Sequence, residues 1–298
     1  METSSTPLLA AAMDEDPAID EPGMRELVEE IHQRSGHDFS HYAAGSRRRR
    51  LVALLGSEQL PDLAALRRRL GVDPACLDRV LCALSIPATA MFRDPPVYRA
   101  LRRLAVTHLA TFPIIRVWLA GCATGEEAWS MAILLHEEGL LQRSRLYATD
   151  MNRQALASAQ SGIFPLAAMQ DYTRNYQLAG GGDFSRYYTA AYGSVKFDAV
   201  LARHLVFAPH NLAIDRTFNE FHLILCRNVL IYFDDQLQAR VHALLHDSLA
   251  HLGTLCLGAT ETMRGTSAMD GYETIDPEHR IYRKIAATPG FSRDRMPS

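Results

Sequence analysis

A change of rhythm near Ile114 constrains this chain more than any other feature. Before it, apolar residues recur at helical spacing; after it, short apolar runs alternate with amphipathic segments. Ile114–Ala120 reads as a buried strand, followed by a helix over Thr124–Glu138. Leu146–Thr149 is a second strand and Asn152–Ser161 a second helix. The strand Phe221–Cys226 then precedes a helix over Asp235–Leu249, and Thr254–Gly258 is a further strand. Such alternation implies an α/β fold with a mostly parallel, doubly wound sheet covered on both faces. Tyr272–Ile275 and Arg280–Ile285, joined at Asp276-Pro277, read as a terminal antiparallel hairpin. Residues 163–212 fit the rhythm poorly. They hold Gly180-Gly181-Gly182, several tyrosines and β-like pieces near Ala199–Leu201 and Leu205–Phe207, so a small antiparallel insert is expected at about 184–211.

Upstream of the change, residues 23–112 read as an all-helical domain. Leu27, Val28 and Ile31 share a face of a first helix that Gly36 ends, and Leu51, Leu54 and Leu55 share a face of a second. Pro61 starts a third, Asp73 with Pro74 starts a fourth, and another helix runs from Asp94 towards Leu109. The α/β domain is expected over 113–287, with a disordered leader at 1–22 and a disordered tail at 288–298. The formal charge of −3 conceals a division: the first 23 residues carry six acids and no base. Residues 24–112 carry fourteen bases against nine acids, and the remainder seventeen against nineteen. A basic helical domain suits an acidic partner. No run approaches the roughly 20 apolar residues of a spanning helix. No secretory signal is expected, and five cysteines without a paired spacing point to a reduced, cytosolic chain.

The chemistry concentrates at the first strand-to-helix junction, Gly121-Cys122-Ala123-Thr124-Gly125-Glu126-Glu127. Glycines let backbone approach a ligand closely, and the helix that follows offers free N–H groups. A dinucleotide fingerprint would be GxGxxG with a pyrophosphate on those groups. This loop is GxxxG followed by two carboxylates, which repel a pyrophosphate and suit a cation; it is equally a tight turn with acids favoured by the helix dipole. Asp150, ending the second strand, can accept both ribose hydroxyls of an adenosine cofactor, or cap the next helix. Together the two features favour a nucleoside with a positive, phosphate-free end, a description that S-adenosylmethionine fits.

Four blocks in order resemble the CheR family of chemotaxis-receptor glutamate O-methyltransferases. They are Thr89-Ala90-Met91-Phe92-Arg93-Asp94-Pro95, the glycine loop through Glu127, Ala148-Thr149-Asp150, and Cys226-Arg227-Asn228-Val229-Leu230-Ile231-Tyr232-Phe233. The resemblance implies a class I S-adenosylmethionine methyltransferase domain, a small N-terminal all-α domain and an antiparallel β insert. It implies S-adenosyl-L-methionine as donor, S-adenosyl-L-homocysteine as product and receptor glutamates as acceptors. Thr89, Arg93, Gly121, Glu127, Asp150, Asn211, Leu212, Arg227 and Asn228 match cofactor-contacting positions. Arg93 and Tyr232 match positions beside the reacting groups. Three departures stand out: Pro87 where some relatives have Asn, Met91 where Phe is usual, and Ala128 where Pro is usual.

A sulfonium methyl is already activated, and a glutamate with pKa near 4.3 is ionised at neutral pH, so no strong general base is needed. Holding the reacting atoms in line with water excluded is the main task. Arg93 can position the acceptor carboxylate and Tyr232 can pack against the sulfonium; without the resemblance they read as a surface ion pair and a half-buried aromatic. Arg47-Arg48-Arg49-Arg50, with Arg67-Arg68-Arg69, reads either as a solvated surface or as a face docking on the acidic cytoplasmic helical bundle of a receptor. Nucleic acid is the competing partner of such runs, but no helix-turn-helix accompanies them. His242 and His246 lie one turn apart with Ala243 where a HExxH glutamate would stand, so no metal is expected. The expected protein is a cytoplasmic monomer without membrane insertion. The rival readings are a cofactor-binding scaffold with little turnover and a methyltransferase for nucleic acid or another protein.

Overall fold

Met24, Leu27, Val28 and Ile31 bury one face of α1 (Glu21–Ser35), and the chain leaves that helix through Gly36, whose φ of 72° no β-carbon hinders. The computed structural model describes residues 19–85, 89–263 and 267–285. The chain divides into two compact units at Ser85/Ile86. In the first, α2 (Ala44–Ser57), α3 (Leu63–Val72) and α4 (Pro74–Leu84) complete a helical core around Leu51, Leu55, Leu66 and Val80. Asp62 caps α3 by accepting the Ala65 N–H at 2.7 Å, and Asp73 caps α4 with Pro74 in the first turn. Much of the arginine charge is spent internally. Arg67 pairs with Glu26 and Glu30, while Arg69 and Arg79 share Glu58, whose carboxyl they hold below its ordinary range.

The second unit opens with α5 (Pro95–Thr107) and then alternates: β1 (Ile115–Ala120), α6 (Glu126–Glu137), β2 (Ser144–Asp150), α7 (Arg153–Ser161). Next come β3 (Ile163–Pro165), α8 (Met169–Leu178), β4 (Tyr188–Ala191), β5 (Ser194–Phe197), the single turn α9 (Ala199–Ala202) and β6 (Leu205–Pro209). The chain continues through β7 (Phe221–Cys226), α10 (Asp235–Ser248), β8 (Leu249–Leu257), β9 (Tyr272–Asp276) and β10 (Ile281–Lys284). Seven strands form one sheet in the order β6-β2-β1-β7-β8-β10-β9. Pairing is parallel from β6 to β8, and β10 runs against both its neighbours. β1 and β7 are almost wholly buried, as strands covered on both faces must be. Strand order reverses beside β1, which opens the crevice for ligands at the carboxyl ends of β1, β2 and β7.

The sheet, its crossovers and the terminal hairpin follow the expected alternation; four details differ. α5 does not belong to the helical domain expected to run to residue 112. Val97, Tyr98, Leu101 and Leu104 join the core of the second unit, so the boundary falls at Ser85. The antiparallel insert takes its first strand from β3, before the expected 184, in the order β3-β5-β4. Ala199–Ala202 is helical rather than β, and Leu205–Pro209 is the parallel edge strand of the main sheet. At the N-terminus, Ile19 is buried and α1 begins at Glu21, so the leader is shorter than 22 residues; residues 1–18, the tail from 286 and Pro87 lie outside the described residues.

α7 ends on Gly162 with φ 63°, and a β-carbon there would stand 2.6 Å from Cζ2 of the buried Trp129. Gly162→Ala combines a left-handed backbone penalty with overpacking and should destabilise the protein by about 2–4 kcal/mol in urea denaturation. Gly182→Ala, which meets no atom within 4 Å, should stay near wild type.

Candidate functional site

Sterics shape the loop after β1. Gly121 (φ 76°) and Cys122 both donate backbone N–H bonds to the Thr149 carbonyl, at 2.8 and 2.9 Å, which folds the chain over the end of β2. A β-carbon on Gly121 would stand 2.5 Å from Cγ2 of Val229, and one on Gly125 (φ 94°) 2.6 Å from Cβ of Ala159. The loop is therefore wedged between α7 and the segment leaving β7. Ala123 between them adopts φ 48°, held there by its N–H bond to Oδ2 of Asp150 at 2.9 Å.

Asp150 holds this end of the site. Its Oδ1 accepts the Asn152 N–H at 2.8 Å, and the Met151 N–H also bonds to the carboxylate, so three backbone donors orient it. Burial pushes its carboxyl above the ordinary aspartate range although backbone bonds from Asn152, Ala123 and Met151 favour the ionised form. Beside it, β6 ends at Pro209, His210 donates its N–H to the Asp150 carbonyl, and the buried Asn211 and Leu212 follow. Asn211 uses its side-chain oxygen to accept the Ala213 N–H at 2.9 Å.

The paired acids that open α6 have separate partners. Glu126 accepts Thr124 Oγ1 at 2.7 Å and the Tyr172 hydroxyl at 3.1 Å, tying the glycine loop to α8. Glu127 Oε1 accepts Nη1 of Arg227 at 2.7 Å. Arg227 is only 2% exposed; its Nη2 donates to Asp94 Oδ2 at 2.8 Å and to the Arg93 carbonyl at 3.1 Å, and the guanidinium lies 5.8 Å from the Tyr98 ring centre. Burial pushes both Glu126 and Glu127 upward, with Arg227 opposing it at Glu127. Glu127, Asp94 and Arg227 together carry one net negative charge.

The 89–95 block is bound into the same wall. The Phe92 N–H donates to Ser130 Oγ at 2.9 Å, Ser130 Oγ donates to the Glu126 carbonyl, and Asn175 Nδ2 donates to the Met91 carbonyl. Phe92 and Asp94 both take positive φ, 51° and 58°. Met91 is fully buried, so it fills the apolar place usual for Phe. Gly121, Glu127, Asp150, Arg227, Asn228 and the Arg93 backbone thus converge at the switch point, with Asn211 and Leu212 following the edge strand and Tyr232 ending a short 3-10 turn, Leu230–Tyr232. Thr89 is half-buried.

The four adjacent arginines do not act alike. Arg47 donates to the Phe39 carbonyl at 2.7 Å and to the Ser40 carbonyl, and Arg50 donates to the Leu84 carbonyl, so both brace the helical unit. Arg49 is exposed and Arg48 half-buried. His242 is buried, with its imidazole pushed down to about 4 by desolvation, a neutral core ring.

Sequence reasoning missed Asp94 as a partner of Arg227, Tyr172 as a partner of Glu126, and Glu261 altogether. Glu261 lies beyond β8, is buried, and accepts backbone N–H bonds from Asn228, Val229, Leu230 and Gly258 at 2.6–3.0 Å. The only sequence signal was an acid three residues after a glycine at a strand end.

The residues fit a phosphate-free nucleoside carrying a cation. Asp150 presents a backbone-oriented carboxylate to hydroxyls at the end of β2, and Arg227 Nε is a buried donor with no partner in the protein.

Comparison with known proteins agrees. Residues 87–277 match the CheR methyltransferase SAM-binding domain and residues 22–85 its all-alpha domain. The Cher3 chain of Pseudomonas putida is 45% identical over 262 residues, covering 88% of this chain and 96% of that one. A chemotaxis protein methyltransferase of Salmonella typhimurium is 28% identical over 232 residues, 74% of this chain and 77% of that one. One from Listeria innocua is 25% identical over 231 residues, covering 76% and 84%.

If the Asp150 carboxylate receives ligand hydroxyls, affinity for S-adenosylhomocysteine requires its ionised form. Its raised pKa means that affinity should fall on acidification at a pH higher than an ordinary aspartate near 3.9 would give. Calorimetric titrations from neutral pH downward should show this fall, and Asp150→Asn should bind about tenfold or more weakly with the pH dependence flattened.

Proposed function

The chain belongs to the CheR methyltransferase family, and on that premise we propose that it converts glutamate side chains of chemoreceptors to methyl esters. It is a methyltransferase with S-adenosylmethionine as its cofactor, acting in chemotaxis. The receptor glutamate is the proposed part. The observation that carries the reading is the convergence of Gly121, Asp150 and the Glu127–Arg227 pair at the carboxyl ends of three adjacent strands.

S-adenosylmethionine supplies an electrophilic methyl on a cationic sulfonium. Asp150, its carboxylate oriented by backbone amides, accepts a ribose hydroxyl. Asn211 and Leu212 flank the base. Glu127 spends Oε1 on Arg227 and offers Oε2 to the ammonium, and the net negative charge of the Glu127–Arg227–Asp94 group complements a cation. Asn228, at φ 60°, turns the chain so that Tyr232 closes the methyl side. The acceptor is an anion at neutral pH, so these residues orient and exclude water rather than remove a proton. Arg93 orients the incoming carboxylate. Thr89 borders the cofactor.

Recognition falls to the helical unit. Arg49 is exposed and Arg48 half-buried, and this face of the Arg47–Arg50 cluster meets an acidic helical bundle. The protein works as a cytoplasmic monomer, and among the described residues no helix is long and apolar enough to cross a membrane.

The test uses purified protein, radiolabelled donor and a receptor cytoplasmic fragment. Base-labile label on the fragment is expected; donor binding without transfer would replace this reading with a scaffold. Arg48→Glu with Arg49→Glu should lower kcat/KM for the fragment about tenfold, more steeply at low salt, while donor affinity stays unchanged. Unaltered kcat/KM would discard the docking face.

A further inference from the structure

Glu261 receives four backbone donors, three of them from the segment that follows β7 and the fourth from Gly258 in its own turn. Oε1 accepts from Val229 and Leu230, both at 2.7 Å; Oε2 accepts from Asn228 at 3.0 Å and Gly258 at 2.6 Å. Four donors fill the four lone-pair sites of a carboxylate. Three of those donors are consecutive N–H groups at the end of β7, which neither strand nor helix could satisfy with the backbone turning at Asn228 (φ 60°). The fit is tight from the other side as well. A β-carbon on Gly258 would stand 2.5 Å from Oε2 and 2.8 Å from the Asn228 nitrogen.

The held segment reaches the site in both directions. Arg227, bonded to Glu127 and Asp94, precedes the three bound amides, and Tyr232 follows them in the Leu230–Tyr232 turn. Val229, in the middle, abuts Gly121 closely enough that no side chain would fit there. One carboxylate therefore sets where the β7 turn stands relative to the glycine loop.

We propose that Glu261 is a positioning residue for methyl transfer, acting through the Asn228–Leu230 backbone to hold the cofactor-binding turn and Tyr232 in register with the Gly121 loop. The proposal rests on the methyltransferase reading. Its chemistry is specific to an anion with two acceptor oxygens. An amide presents N–H groups to two of the four donors and forces the turn to shift, whereas an aspartate keeps the acceptors but loses reach.

The experiment measures S-adenosylhomocysteine affinity by calorimetry and single-turnover methyl transfer at saturating donor, for wild type, Glu261→Gln, Glu261→Asp and Val241→Ala. Val241, fully buried in α10, controls for lost stability. Glu261→Gln should raise the dissociation constant about tenfold or more and slow transfer by a similar factor. Glu261→Asp should fall between it and wild type. Val241→Ala should stay within about twofold in affinity despite a lower melting temperature, because general destabilisation reduces the competent fraction rather than the affinity of what remains. If Glu261→Gln does not fold, Glu261→Asp alone decides by the same readout. Affinity and transfer in the glutamate variants within twofold of wild type, or changed no more than in Val241→Ala, would overturn the proposal. Failure of wild type to bind S-adenosylhomocysteine would instead remove the reading beneath it.

Discussion

The site is organised around a buried cation. Arg227 leaves β7 with almost no access to water, and a guanidinium placed there is tolerable only if anions and carbonyls surround it. Glu127 from α6, Asp94 and the Arg93 carbonyl from the 89–95 block do so, with the face of Tyr98 alongside. Two segments far apart in sequence are thereby drawn onto one side chain of a third. Removing Arg227 would leave the buried Glu127 carboxylate without its cation, at a cost of roughly 3–5 kcal/mol. The geometry of the cofactor face is thus coupled to folding itself.

Around that centre the backbone is held in unusual conformations. Phe92, Asp94, Ala123 and Asn228 all have positive φ. For non-glycine residues each such position costs on the order of 1 kcal/mol or more. Three of the four segments show an external restraint: Ala123 by Asp150, Phe92 by Ser130, Asn228 by Glu261. The turns are rigid before any ligand arrives, which suits an enzyme whose task is alignment rather than proton transfer.

Much of this was legible in the residue order. Strands β1, β2 and β7 announce themselves because a strand buried on both faces must be a short, continuous apolar run, and the loops after them carry the glycines and the aspartate. The helix α5 misled because its amphipathic rhythm says that one face is buried without saying against what. The insert was blurred because its strands are short and it shares a stretch of chain with β6, an edge strand of the main sheet. Glu261 was invisible for a deeper reason. Its partners are main-chain amides, which every residue possesses, so nothing in the identity of Asn228, Val229 or Leu230 advertises the acid that binds them.

The small antiparallel sheet is often the part of such a chain one would imagine exchanging. Its approach helix and first turn, however, supply the phenols of Tyr172, Tyr176 and Tyr187, which donate to Glu126 and Glu137 on α6. Arg102 of α5 completes the set at Glu137. A transplanted insert that lacked those three hydroxyls would leave Glu137 to Arg102 and would leave Glu126, the residue adjoining Glu127, to Thr124. The segment is thus modular in topology and indivisible in electrostatics, so its sequence can drift freely only on the face turned away from α6.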